Sequence, residues 1–442
     1  MTDLHKQSPI LSSDEEGAQN DSDGYRPAAI SGHRELKLEN HLVHHANDLR
    51  TVLNDVLRSD TMEIYYFLNE GALRRQVGIF RENFIPDMAN ERRIIYAMKA
   101  NSRKRIMEIL ASEGIDGFDC ASINEIDSAL ALPGIKPENV YFNNPIRKPQ
   151  SITEALAREI RYFTVQSRSG VRKVLRGAQN FGSSVPVELV VRLETQNPEA
   201  AINLSEKFGC SQETAMELLR MGEKEGTELG LSMHTGSQNP DPRTFSDGIN
   251  LLGEIARQIG GVSSLNLGGG LPVKQAAADH FDLKSYLRHI SRSVNDIIPR
   301  TFKPGIIRPR IILEPGRALV AEAVTLAVPV IEMDRRGNRR RVAIGDGIFT
   351  SFSDAVIHKW RYNFKVFTKD GRKLSSHKSN FILFGETCDS GDKLGEYDLP
   401  DNLEEGDYLL VENGGAYMDA QRSAGFCGLS DEPIYFSYNI AA

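Results

Sequence analysis

Lys99 ends a short apolar run, Ile94-Ile95-Tyr96-Ala97-Met98, and is followed by Asn101-Ser102. An ammonium at the exit of a buried strand must reach water, a counter-ion or a bound group. Desolvation can remove its proton and leave an amine that attacks aldehydes. Further along, Asp119, Arg192, His234 and Glu314 each stand at the end of another apolar run, and Gly268-Gly269-Gly270 follows one more. Taken singly, these residues have plainer roles. Asp119 can cap a helix, Arg192 can pair with Glu194, and His234 can be a satisfied core histidine. Taken together they are complementary. The backbone N–H groups of Leu267-Gly268-Gly269-Gly270-Leu271 can approach an anion without Cβ atoms in the way. Glu314-Pro315-Gly316-Arg317 offers a second such turn, and Ser237 in His234-Thr235-Gly236-Ser237-Gln238 adds a hydroxyl.

The elements that must position these groups alternate. Apolar runs at 94–98, 117–120, 140–142, 161–165, 187–193, 228–234, 264–267 and 310–314 read as strands. Helical periodicity fills most gaps, at 103–112, 123–130, 151–159, 169–179, 212–223, 242–259 and 283–298. Eight strands interleaved with helices predict an α/β fold, a parallel (β/α)8 TIM barrel, with an open doubly wound sheet as the competing arrangement. In a barrel the C-terminal strand ends meet on one face, so all six rim features share one site. Before the barrel, 41–58 reads as a helix, 63–67 as a strand and 70–84 as a helix. Beyond Glu314 the pattern becomes strands joined by turns: 320–331, 341–344, 381–384, 408–411 and 433–438, with hairpin connections expected at 334–338 and 369–372. The predicted organisation is a disordered polar tail over 1–30, an N-terminal segment over 31–67 that partly joins a β domain, the barrel over 68–318, and a mainly antiparallel C-terminal β domain over 319–442.

Composition narrows the function classes. The chain has 442 residues, 40% hydrophobic and 26% charged, with a net charge of −7, which gives no electrostatic case for nucleic acid. No apolar run approaches the roughly 18 residues of a membrane span. The first 24 residues lack the apolar centre of a signal peptide. Cys120, Cys210, Cys388 and Cys427 form no C-x-x-C pair and read as reduced thiols, so the expected compartment is the cytoplasm.

A lysine forms an imine with an aldehyde, a carboxylate keeps a pyridine nitrogen protonated, an imidazole stacks on a flat ring, and glycine turns hold a phosphate. One molecule carries aldehyde, pyridine and phosphate: pyridoxal 5′-phosphate. The motifs Y-A-M-K-A-N, G-F-D-C-A-S, H-T-G-S-Q, L-G-G-G, E-P-G-R, C-D-S-G-D and E-N-G-G-A-Y, in this order from about Tyr65 to Tyr438, resemble the fold-type III pyridoxal-phosphate decarboxylases. That family acts on ornithine, lysine, arginine and diaminopimelate and shares its barrel with alanine racemase. Lys207-Phe208-Gly209, Gly345-Asp346-Gly347 and Thr387-Cys388-Asp389 resemble the ornithine/lysine branch most.

The resemblance implies that Lys99 carries the cofactor covalently, that His234 stacks on its ring and that Glu314 meets its nitrogen. It assigns the phosphate to Ser237, Gly270, Gly316, Arg317 and Tyr417, counts Gly269 among the cofactor-binding residues, and has Asp119 and Arg192 support the lysine and the ring edge. It places Cys388 and Asp389 in the other subunit's site of a homodimer, Cys388 reprotonating the substrate carbon. Asp346 and Asp389 would bind the distal amine of ornithine or lysine, giving a di- or polyamine and carbon dioxide. Asn266 stands where the ornithine branch often has aspartate, and Ser390-Gly391-Asp392 resembles the diaminopimelate branch. These departures leave diaminopimelate, arginine, a D-amino acid or a conjugated amino acid as alternative substrates. Racemisation on the same fold and a catalytically inactive binding regulator are the competing functions.

Overall fold

Eight strands close into a barrel in sequence order: Glu91–Ala97, Gly117–Cys120, Val140–Phe142, Tyr162–Val165, Glu188–Arg192, Glu228–Ser232, Ser264–Asn266 and Arg310–Leu313. All neighbours are parallel, and Arg310–Leu313 closes the ring by pairing with both Ser264–Asn266 and Glu91–Ala97. The computed structural model describes residues 41–439 except 45–47, 59–61, 183–185, 196, 198, 274–280, 303–307, 424 and 430–432, so the expectations for residues 1–40 lie outside the described residues.

Parallel neighbours require crossovers, which helices provide. Side-chain caps set where those helices start: Ser122 accepts from the Glu125 N–H, Ser167 from Gly170 and Ser211 from Thr214. Alternate strand residues face opposite ways. Tyr96, Phe118, Phe142 and Phe163 pack in the shell between strands and helices, whereas Ile95, Tyr141, Tyr162, Val190 and Ile312 form a separate cluster inside the barrel. Below that cluster, at the N-terminal strand ends, buried Glu188 accepts from the Ser264 hydroxyl and pairs with Arg310.

A nine-stranded sheet forms the second layer, with five antiparallel and three parallel pairings. The chain enters it before the barrel: Tyr65–Asn69 pairs with Val324–Arg336 and Ile434–Tyr438, and His41–His44 pairs with Ile434–Tyr438. The predicted helix over 41–58 is therefore shorter. It spans Leu49–Leu57, because the Asp48 carboxylate caps it by accepting from the Thr51 N–H at 2.8 Å. The hairpin expected near Gly337 joins Val324–Arg336 to Arg339–Ile344. The turn at 369–372 joins no hairpin, because Phe364–Phe367 pairs with Tyr408–Val411 instead of the strand that follows it. Phe364–Phe367 and Lys393–Pro400 are strands that the hydropathy pattern did not reveal. Among the described residues no helix is long and apolar enough to cross a membrane.

Candidate active site

The first barrel strand stops at Ala97, so Lys99 sits on the short 3-10 turn Met98–Ala100 instead of on the strand itself. That turn is braced from both layers. The Tyr96 hydroxyl donates to the Asn101 carbonyl at 2.8 Å, and the Asn101 amide donates to the Gly415 carbonyl at 3.0 Å. The Tyr417 N–H donates to the Ala100 carbonyl at 2.7 Å, and the Arg103 guanidinium forks onto Asp419 at 2.7 and 2.9 Å. The amine is thereby held 3.7 Å from an Asp119 oxygen, with 50% of its side-chain surface open.

It opens onto a cavity of about 690 Å³ at the C-terminal face of the barrel. Lys99, Asp119, Arg192, His234, Ser237, Gly270, Glu314, Gly316, Arg317 and Tyr417 all line it. Gly269 lies beneath them: a Cβ there would sit 3.4 Å from His234 Nε2 and 2.5 Å from the Glu314 carbonyl oxygen, so only glycine fits. Gly270 has φ +102°, and a Cβ there would meet the Gly236 carbonyl oxygen, so the turn needs glycine twice over.

Glu314 is the electrostatic centre. Burial, then the nearby Asp119 charge, push its carboxyl up to about 7, against the lowering pull of Asn266, Lys99 and Arg192. Its oxygen accepts from the Asn266 amide at 2.5 Å and from the Asn143 amide. Asn266 is itself oriented, accepting from the Gly268 N–H at 2.9 Å, and the Thr164 hydroxyl donates to Asn143 at 2.7 Å. Burial and the Arg192 and Lys99 charges hold His234 far below its ordinary value, so it is a neutral imidazole. Its Nδ1 accepts from the Gly236 N–H at 3.1 Å, which leaves the proton on Nε2. Burial draws the Arg192 guanidinium below its usual range, and it lies over the Phe208 ring at 4.9 Å.

Burial draws Lys99 down as the sequence led one to expect, but Asp119, Tyr417 and Glu314 outweigh it and the amine stays above its ordinary value. Desolvation could have removed the proton, but the two carboxylates that share its cavity favour the ammonium. This donor set fits pyridoxal 5′-phosphate. An amine and a buried carboxylate of raised pKa face one space, with glycine turns and Arg317 at its edge. A protonated ring nitrogen would supply the cation that Glu314 lacks at bonding distance.

Three expected site residues lie elsewhere. Asp346 does not line the cavity. It is buried and already satisfied, accepting from the Gly347 and Ser351 N–H groups at 2.8 and 2.9 Å and pairing with Arg422 at 3.0 Å. Within this chain the carboxylate braces its own turn. Cys388 and Asp389 line a separate cleft of about 360 Å³ with Glu332, Asp334 and Arg341.

Sequence reasoning missed Asn143, Asp354 and His358. Asn143 follows the third barrel strand, at the same rim position as the other polar groups, and that was its signal. Asp354 and His358 line the cavity one helical turn apart, His358 Nε2 lying 3.8 Å from one Asp354 oxygen and Arg317 3.7 Å from the other. The Arg317 guanidinium lies over the Tyr417 ring at 4.7 Å.

Comparison with known proteins bears on this geometry. A family model described as pyridoxal-dependent decarboxylase, pyridoxal binding domain, matches residues 70–321. The lysine/ornithine decarboxylase of Selenomonas ruminantium is 28% identical over 340 residues, covering 75% of this chain and 81% of that protein. Antizyme inhibitor 2 of Xenopus laevis is 28% identical over 415 residues, covering 90% and 86%. The crystal structure of lysine/ornithine decarboxylase from Vibrio vulnificus complexed with cadaverine superposes with a TM-score of 0.74 at 23% identity, covering 89% of this chain and 99% of that one, which shows a shared fold.

Proposed function

This chain belongs to the pyridoxal-dependent decarboxylase family, and from that premise we propose that it decarboxylates a basic amino acid, ornithine or lysine before others, to the corresponding amine and carbon dioxide. The observation that carries this reading is that Lys99 and Glu314 open onto one cavity. An amine that can bind an aldehyde and an acid that can hold a ring proton serve no common purpose in a purely structural core. The antizyme inhibitor among the relatives makes a non-catalytic binding protein the second reading. The complete set of amine, acid and neutral imidazole in the cavity favours catalysis.

When bound, the cofactor supplies an electron sink for the bonding pair left as carbon dioxide departs. This chain's residues do the rest. Lys99 would anchor the cofactor, with Asp119, its nearest carboxylate, 3.7 Å away, holding the amine in place. Neutral His234 offers a flat face without adding charge. Glu314, its carboxylate oriented by two amides, would keep the ring nitrogen protonated. Ser237, Gly270, Gly316, Arg317 and Tyr417 hold the phosphate.

The reprotonating acid comes from a partner subunit in this reading. Cys388 is exposed and lies in a different cleft from Lys99, which supports a homodimer in which the Cys388–Asp389 loop completes the neighbouring cavity. His358, backed by Asp354, is then this chain's own contact for the substrate's distal end. The four free thiols support a cytoplasmic setting.

Mixing two inactive variants tests the whole reading. K99A and C388A, combined and allowed to exchange subunits, should recover decarboxylation because some mixed dimers hold one intact site. No recovery from two separately folded variants would contradict the shared site. No carbon dioxide from any of ornithine, lysine, arginine or diaminopimelate with wild type would contradict the substrate class.

A further inference from the structure

Cys388 and Cys427 are separated by 39 positions in the chain, yet their sulfurs lie 3.4 Å apart, both exposed. Two loops bring them together, and both are tied to one segment, Asp346 to Phe349. The Cys388 loop joins Lys378–Phe384 to Lys393–Pro400 and closes around buried Asp392, which accepts from the Thr387 hydroxyl at 2.7 Å. The same carboxylate accepts from the Ile348 N–H at 2.9 Å, docking the loop on the segment.

Cys427 lies on the turn Phe426–Gly428. The Phe426 ring packs on Phe349 at 4.3 Å, and the Ser423 N–H donates to the Phe349 carbonyl at 3.0 Å. Arg422, just before that turn, is held by Asp346 at 3.0 Å. The buried Asp346 pair therefore has a purpose that amine recognition does not explain: it fixes the segment on which both thiol loops rest.

We propose that Cys388 and Cys427 form an oxidisable dithiol site that closes to an intrachain disulfide. Two thiols already at van der Waals contact need almost no loop closure to bond. A hydroperoxide is the oxidant. The Cys388 thiolate attacks the peroxide, the O–O bond breaks, and an alcohol, or water from hydrogen peroxide, leaves with a proton, giving a sulfenic acid at Cys388. The Cys427 thiol attacks that sulfur, the S–O bond breaks, and water departs. The two sulfurs lose two electrons and the peroxide gains them. A dithiol reductant reverses the reaction by exchange. The consequence for activity rests on the reading of Cys388 as the reprotonating acid. Closure removes that thiol and pins its loop, so oxidised enzyme should be inactive.

The test uses the pyridoxal-phosphate-loaded full-length protein and hydrogen peroxide at a few equivalents. Peptide mapping of the wild type should give a cross-linked Cys388–Cys427 peptide, with loss of two hydrogens in the intact mass, both reversed by dithiothreitol. Activity should fall by at least ~100-fold, the weight of a lost general acid, and return on reduction. C427S should keep the basal rate but, under the same peroxide, lose activity irreversibly as Cys388 runs on to sulfinic acid. Wild-type protein that yields only sulfinic acid, or only disulfides between chains on a non-reducing gel, would overturn the proposal, and neither result requires the variant to fold. A cross-link that forms without loss of activity supports the dithiol site and removes Cys388 from the mechanism.

Discussion

Two glutamates stand at opposite ends of one barrel, Glu188 buried and Glu314 half-buried, and their partners differ. Glu188, at the N-terminal strand ends, has Arg310 as a cation in direct contact and the Ser264 hydroxyl beside it. Among the described residues, the Glu314 carboxylate, at the C-terminal ends, has only the amides of Asn143 and Asn266 at bonding distance. Burial raises the carboxyl pKa at both, but only at Glu188 does a bonded arginine work directly against it. A buried charge without a bonded counter-ion is costly, and a fold tolerates it where a ligand will complete the set. The closed end of this barrel is therefore built for stability and the open end for reception.

Breaking each end separately should produce opposite phenotypes. Removing the amine of the open end has the largest effect: K99A should lose pyridoxal-phosphate-dependent absorption and all turnover while its unfolding midpoint stays close to wild type, as read by spectroscopy and thermal denaturation. At the closed end, E188A strands the Arg310 charge and should cost about 3–5 kcal/mol of stability, measured by chemical denaturation. Whatever folds should keep its activity, so equal loss of activity in E188A and E314Q would erase the distinction. E314Q should lower kcat by about 10²–10³-fold, the usual scale for a missing electrostatic partner of the reacting group, with little loss of stability.

The pH dependence sharpens the contrast. Glu314 takes its proton more readily folded than unfolded, because its folded value is about 7 against an ordinary carboxyl near 4.5. Stability of cofactor-free protein should thus fall as pH rises from about 4.5 through about 7 and level off above, since the folded form binds the extra proton in that window. E314Q should flatten this fall in denaturation measured across the window. The smallest effect belongs to the cavity's edge. H358A should raise KM for a basic substrate about 10-fold with kcat nearly unchanged, as proposed for a residue at the substrate's distal end.

The barrel and its rim were legible in the sequence because each depends on local order. An apolar run followed by one polar residue marks a strand and its exit, whichever partners lie across the ring. Lys99, Asp119, His234 and Glu314 all followed that rule, and Asn143 obeyed it too while passing as loop polarity. The surroundings of Asp346 were hidden for the opposite reason. A carboxylate between two glycines has the same local signature whether it faces a cavity or braces a turn, and its partner Arg422 lies 76 positions away. The Cys388–Cys427 contact is equally non-local. Lys393–Pro400 went unseen because its buried residues alternate with Gly395, Asp398 and Lys393, which dilute the strand signal. His41–His44 is a strand only through its pairing with the far end of the chain.

The central claim is that one amine in this chain faces the cofactor across from Glu314. Borohydride reduction of the protein loaded with pyridoxal phosphate, followed by peptide mapping, tests it most directly. The account predicts the reduced cofactor on the peptide containing Lys99 and on no other lysine. Label on a different lysine, with Lys99 unmodified, would contradict it.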